Sequence, residues 1–194
     1  RVFNRIPDES CGLRPSVLGY EETRPLQDHI VHRLTEIAGD LGLTVVFHTG
    51  IQAGNYNDLD NARPTLLWNM FQRFPKVRFN LLHAGLPFVD EAGLLAKYFP
   101  NVTIDMAWMH AISPEISVRA LRDWVDLVPR NKVLGFGGDY HVVEKVYGHL
   151  VLARENIACA LADKVDQGAL TEEGARCWAR ALLWDNPRAV YALD

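Results

Sequence analysis

The sequence holds only three cysteines, Cys11, Cys159 and Cys177, widely separated and odd in number. They can build neither a disulfide framework nor a paired-thiol metal site. Cys159, in the run Asn-Ile-Ala-Cys-Ala-Leu at 156–161, reads as a small buried thiol. A reducing cytoplasm is the expected setting. No apolar run approaches the ~20 residues that a membrane-spanning helix needs. The start, Arg1-Val2-Phe3-Asn4, lacks a charged leader followed by an apolar core, and it lies inside an apolar segment. The expectation is a chain that begins part-way through a longer protein. Basic clusters are missing too: 20 Lys and Arg are scattered among 24 Asp and Glu, for a net charge of −4, which speaks against a nucleic-acid surface. A glycine-rich phosphate loop is also absent, because Gly135-Phe136-Gly137-Gly138 lacks the GxGxxG spacing. What is present is ordinary globular material, 48% hydrophobic and 23% charged over 194 residues, enough for one core.

The hydrophobic pattern repeats as a unit. Leu26, Ile30, Leu34, Ile37 and Leu41 predict a helix over 24–41, with Pro25 in its first turn and Gly42 at its end. The run 43–48 then predicts a buried parallel strand closed by His48-Thr49-Gly50. Helix 63–74 and strand 77–82 follow, ending in His83-Ala84-Gly85. Next come helix 88–98, strand 102–106, helix 114–127 and strand 132–136, the last ending in Gly137-Gly138-Asp139. A long helix over 141–164 and two shorter ones, 171–184 and 187–193, complete the chain, with Thr171 as an N-cap. Four strands alternating with helices predict an α/β fold with a parallel sheet and right-handed crossovers. Three strands end in polar side chains, which is how a (β/α)8 TIM barrel presents its active site. Four units are half of such a barrel, read here as one domain over 1–194.

His48 and His83 each close an apolar strand and precede a small residue and a glycine. One such histidine could be a core residue donating to a backbone carbonyl; two at matching junctions point to a site, and neutral imidazole is a good metal ligand and acid or base. Asp139 supplies a third vertex, with an N-cap of the following helix as its competing role. The glycines before it are expected to make room for a ligand. Asp105 reads as structural support inside the barrel, on the face of Thr103. Trp108, Met109 and His110 could wall a substrate pocket, although a solvated loop is the plainer reading of His110. His141 could be a substrate contact at the mouth. His29 and His32 read as surface or interface residues, His149 as structural, and Trp68, Trp124, Trp178 and Trp184 as packing against the barrel or a neighbour.

Taken in order, "VVFHTG", "FPKVRFNLLHAG", "FPNVTIDMAW", "KVLGFGGDY" and "LLWDNPRAVYAL" resemble the second half of the amidohydrolase superfamily, in particular its amidohydrolase-2 group. The resemblance covers residue 24 onward. It implies that this chain supplies the last four βα units and C-terminal helices, that His48 is a metal ligand from the fifth strand, and that His83 from the sixth holds metal or water. It further implies that Asp139 from the eighth contacts metal or water and shuttles protons, and that Asn186-Pro187 has a packing role. The HxH pair of the family's first strand is absent, and Val2-Phe3-Asn4-Arg5 could be the tail of the fourth strand. The expected partner is therefore a missing N-terminal half-barrel or a second copy of the chain. The expected cofactor is a divalent metal ion, foremost Zn. The expected reaction is hydrolysis of an amide, ester or lactone bond of a small polar molecule by metal-activated water, with Asp139 moving the proton and His83 steadying the oxyanion. Non-oxidative decarboxylation of a small carboxylic acid and a non-catalytic barrel fragment are the alternatives.

Overall fold

The computed structural model describes residues 19–193. Cys11 and the proposed strand tail at Val2-Phe3-Asn4-Arg5 lie outside the described residues. Helix α1 (Tyr20–Asp40) leads into β1 (Val45–Phe47), and α2 (Trp68–Arg73) into β2 (Phe79–Leu81). Helix α3 (Val89–Tyr98) precedes β3 (Val102–Asp105); a short α4 (Met109–Ile112) and α5 (Pro114–Leu127) precede β4 (Val133–Leu134). The chain then runs through α6 (Glu144–Asp166), α7 (Glu172–Arg180), a π turn (Ala181–Asp185) and α8 (Asn186–Tyr191).

The strands pair in parallel in the order β1-β2-β3-β4, with Val46 opposite Asn80 and Asn80 opposite Thr103. A doubly wound sheet reverses its strand order at a switch point; this one keeps chain order throughout, as a barrel wall does. One face carries Phe79, Leu81, Val102 and Ile104, all fully buried in a core shared with Leu95, Ala96, Leu121, Trp124 and Ile157 of the helix layer. The opposite face carries the polar row Asn80 and Thr103 together with Asp105.

Local chemistry explains the sharp boundaries. Ser113 caps α5 by accepting from the Ile116 N–H at 3.2 Å, and Pro114 opens the helix where no N–H is needed. Thr171 accepts from the Gly174 N–H at 3.0 Å, the expected N-cap of α7. Several expectations are corrected. Helix α1 begins a turn before Pro25, so the proline sits inside the helix; the Gly19 N–H donates to the Glu22 carboxylate at its start. Residues 59–67 form two 3-10 turns, leaving only Trp68–Arg73 as α-helix in the second unit. β1 is not buried: Val46 is 41% exposed, because nothing pairs with its outer edge among the described residues. Cys159 is exposed on α6. Trp124 and Trp178 pack in the core as expected; Trp68, though partly exposed, sets its ring edge-on to Phe99 at 4.7 Å, and Trp184 is exposed. His29 is exposed, and the half-buried His32 sets its ring edge-on to Phe74 at 5.7 Å.

Helix α8 crosses the far end of the sheet. Asn186 Nδ2 donates to the carbonyls of Arg130 and Val133 at the foot of β4, both at 2.7 Å. Tyr191 OH accepts from Asn80 Nδ2 on β2 at 2.7 Å, and Thr44 Oγ1 donates to the Val190 carbonyl below β1 at 2.5 Å. This is the packing role expected of Asn186-Pro187.

Candidate metal centre

Three strand ends deliver three side chains to one point. His48 follows β1, His83 lies two residues beyond β2, and Asp139 lies five beyond β4. The junctions are locked to each other: Thr49 Oγ1 donates to the Leu82 carbonyl at 2.9 Å, and the Ile51 N–H to the Leu86 carbonyl at 2.7 Å. Gly50, at φ +68°, presses so closely on this second turn that a Cβ there would lie 2.0 Å from the Leu86 oxygen. Left-handed backbone recurs at non-glycine residues where the strands end: His83 (φ 61°), Ala84 (52°), Trp108 (63°) and Asp139 (48°). Each such residue costs ~1–3 kcal/mol, and clusters of them mark functional sites.

His83 is fully buried; His48 and Asp139 open to solvent. Each residue offers one ligand atom, and these atoms lie within 4.8 Å of one another. Asp139 Oδ2 is 3.7 Å from His48 Nε2 and 3.8 Å from His83 Nε2. His83 Nδ1 is 3.1 Å from the Ala107 carbonyl, which can only accept, so this nitrogen carries the proton and Nε2 presents a lone pair. His48 Nδ1, 2.8 Å from that lone pair, donates to it, leaving its own Nε2 bare. Burial holds the His83 pKa below the ordinary histidine range, against the hydrogen bond to Ala107; the neighbouring His48 lowers it further. Two neutral imidazole nitrogens and a carboxylate oxygen suit a divalent ion. Bond lengths of ~2.0–2.2 Å place tetrahedral ligands roughly 3.4 Å apart, within a few tenths of the two spacings to Asp139. Asp139 is not an N-cap, because α6 begins only at Glu144.

Trp108 braces the group. Its ring stacks on His83 at 4.1 Å and 22°, meets the His48 ring at 5.8 Å, and its Nε1 donates to the Asp139 carbonyl at 2.9 Å. The sequence suggests a pocket wall only; no sequence signal marks an indole that joins two distant strand ends. His141 is exposed in the loop before α6. His110 does not reach the site. It is fully buried, with Nε2 donating to the Gly135 carbonyl at 2.8 Å and Nδ1 taking a hydrogen from Asn156 at 3.2 Å, so the solvated and substrate-contact readings are both corrected. Burial lowers its pKa to about 4. His149, read as structural, is buried and paired through Nδ1 with Tyr140 OH at 2.9 Å. The glycines before Asp139 serve the chain's own packing. A Cβ on Gly137 would meet Asp105 Oδ1 at 2.7 Å, and one on Gly135 would meet Leu182 at 2.8 Å.

The family described as Amidohydrolase matches residues 11–193. The fluG protein of Emericella nidulans is 27% identical over 200 residues, taking in 100% of this chain and 22% of that protein. A solved structure described as a metal-dependent hydrolase from Lactobacillus casei superposes with a TM-score of 0.75 at 25% identity, covering 87% of this chain and 44% of its own. The uronate isomerase of Thermotoga maritima (TM-score 0.74, 15% identity, 90% and 42%) and the glucuronate isomerase of Caulobacter crescentus (0.71, 18%, 91% and 41%) share the fold. The sheet is thus an arc of a TIM barrel. The chain spans about a fifth of the fluG protein and a little over two fifths of these structures.

Proposed function

Because the chain belongs to the amidohydrolase family, we propose that His48, His83 and Asp139 hold a divalent cation, foremost Zn²⁺, in a hydrolase acting on an amide, ester or lactone bond of a small polar molecule. The carrying observation is the convergence of three donor atoms, from three strand ends, within 4.8 Å. A cation held there supplies Lewis-acid activation of water and of a substrate carbonyl at neutral pH. Asp139, 37% exposed at its side chain, is the group placed to take a proton from the attacking water and return it to the leaving group. His83 is the second ligand: a cation would take the Nε2 lone pair that the His48 Nδ1–H occupies in the metal-free chain, and that nitrogen has no hydrogen to offer an oxyanion. Trp108 and the exposed His141 are the proposed substrate contacts at the rim.

The rest of the site is proposed to come from an N-terminal half-barrel, in the same polypeptide or in a partner. The exposed apolar residues of α1, among them Ile30, Leu34 (60%) and Ile37, and the edge of β1 that no other strand among the described residues pairs with support this reading. A reducing cytoplasm accords with the free, exposed Cys159 and Cys177. No helix among the described residues is long and apolar enough to cross a membrane.

The test is metal content, measured by elemental mass spectrometry in protein carrying its natural upstream sequence. Wild type is expected to hold metal stoichiometrically and His48→Ala to lose it. Stoichiometric metal retained in the variant removes His48 from the site.

A further inference from the structure

Beneath the metal centre lies a carboxylate that the proposed reaction does not use. Asp105, at the end of β3, is 3% exposed and accepts from the Ala107 N–H at 2.5 Å through Oδ1. Its Oδ2 accepts from Asn80 Nδ2 at 3.3 Å. Asn80 is itself fixed: its Oδ1 accepts from Thr103 Oγ1 at 2.9 Å, and its Nδ2 also reaches Tyr191 OH. Burying a carboxylate is costly unless it is well partnered, and here burial pushes the Asp105 pKa up to about 6 despite these donors.

What the carboxylate accomplishes is visible one residue on. Ala107 turns its N–H down to Asp105 and its carbonyl up to His83 Nδ1. The same segment is pinned on the other side, where the Met106 N–H donates to the Leu134 carbonyl at 3.0 Å and the Trp108 N–H to the Gly137 carbonyl at 3.3 Å. Trp108, left-handed at φ 63°, then lays its ring on His83. The backbone partner of a ligand histidine fixes its tautomer and orientation, and loss of such a partner typically costs 10–100-fold in metal affinity.

We infer that Asp105 is a positioning residue: acting through Ala107, it holds His83 as the Nδ1–H tautomer with its Nε2 lone pair turned toward His48 and Asp139. This rests on the metal reading above for its purpose, but the tautomer is a property of the chain alone.

The test uses protein with its natural upstream sequence and two readouts. In metal-free protein labelled with 15N at histidine, long-range proton–nitrogen spectra report the tautomer of each ring. His83 is expected as Nδ1–H in wild type and in Asp105→Asn, which keeps an oxygen for the Ala107 N–H and gives up only the longer bond from Asn80 Nδ2, and as a mixture in Asp105→Ala. In Co²⁺ titrations followed by visible absorption, Asp105→Ala is expected to bind ~10–100-fold more weakly, with Asp105→Asn close to wild type. A wild-type His83 in the Nε2–H form overturns the inference, as does a folded Asp105→Ala with wild-type tautomer and affinity. If Asp105→Ala does not fold, Asp105→Val, which likewise offers the Ala107 N–H no acceptor, takes its place: a mixture of tautomers supports the inference and Nδ1–H alone overturns it. Wild type that takes up no Co²⁺ while His83 stays Nδ1–H overturns the metal reading and leaves the role of Asp105 standing.

Discussion

A methyl group at Gly50 would have to enter the Leu86 carbonyl, and φ of +68° is itself unfavourable for alanine. The two effects together predict that Gly50→Ala loses at least ~3 kcal/mol, read from urea unfolding; a loss under ~1 kcal/mol would contradict the close approach of the two strand ends. His110 makes a pH prediction. Its pKa is 6.5 unfolded and about 4 folded, so between these values the unfolded chain binds more protons. Its contribution is therefore complete above pH 6.5 and is lost as pH falls toward 4, a change of up to ~3 kcal/mol. Asp105 works in the opposite direction. Its pKa rises from 3.8 to about 6 on folding, so protonation favours the folded chain as pH falls through that window. Urea titrations from pH 7 to 4.5 should thus show a steeper fall in wild type than in His110→Gln. Equal slopes would remove His110 as the titrating group.

At the scale of elements, α8 is tied to the feet of the strands by hydrogen bonds. Asn186→Ala removes two hydrogen bonds and strands a buried carbonyl, with an expected loss of ~2 kcal/mol; thermal melting of the variant checks it. Helix α5 is legible in the sequence to its last residue because Pro114, a serine cap and a clean apolar period coincide. The strands are legible as centres but not as lengths: each leaves the sheet early, and its final residues become the turns that carry His48, His83 and Asp139. Residues 63–74 have a helical pattern, but Pro64 and the 3-10 turns take up the first half. The exposure of Cys159 is not legible, because α6 is apolar over much of its circumference and spacing alone does not choose the buried side. The triad is readable, since a polar side chain closing a buried apolar run needs a partner or a ligand there. The setting of His110 is not: its partners are Gly135 and Asn156, 25 and 46 residues away. The Asp105–Ala107–His83 bridge is hidden for the same reason.

At the scale of the molecule, a β1 edge left open among the described residues and an apolar helix face predict self-association when the chain is produced without the other half of its barrel. Val46, 41% exposed on the edge strand, is the place to block it. Val46→Lys is expected to shift the 194-residue chain toward monomer in sedimentation velocity at rising concentration; an unchanged distribution would place the contact elsewhere. The contacts of α8 join the feet of β1, β2 and β4 from below. Since α8 follows all four strands in the chain, the feet of β1, β2 and β4 are tied together only once the last helix has been made.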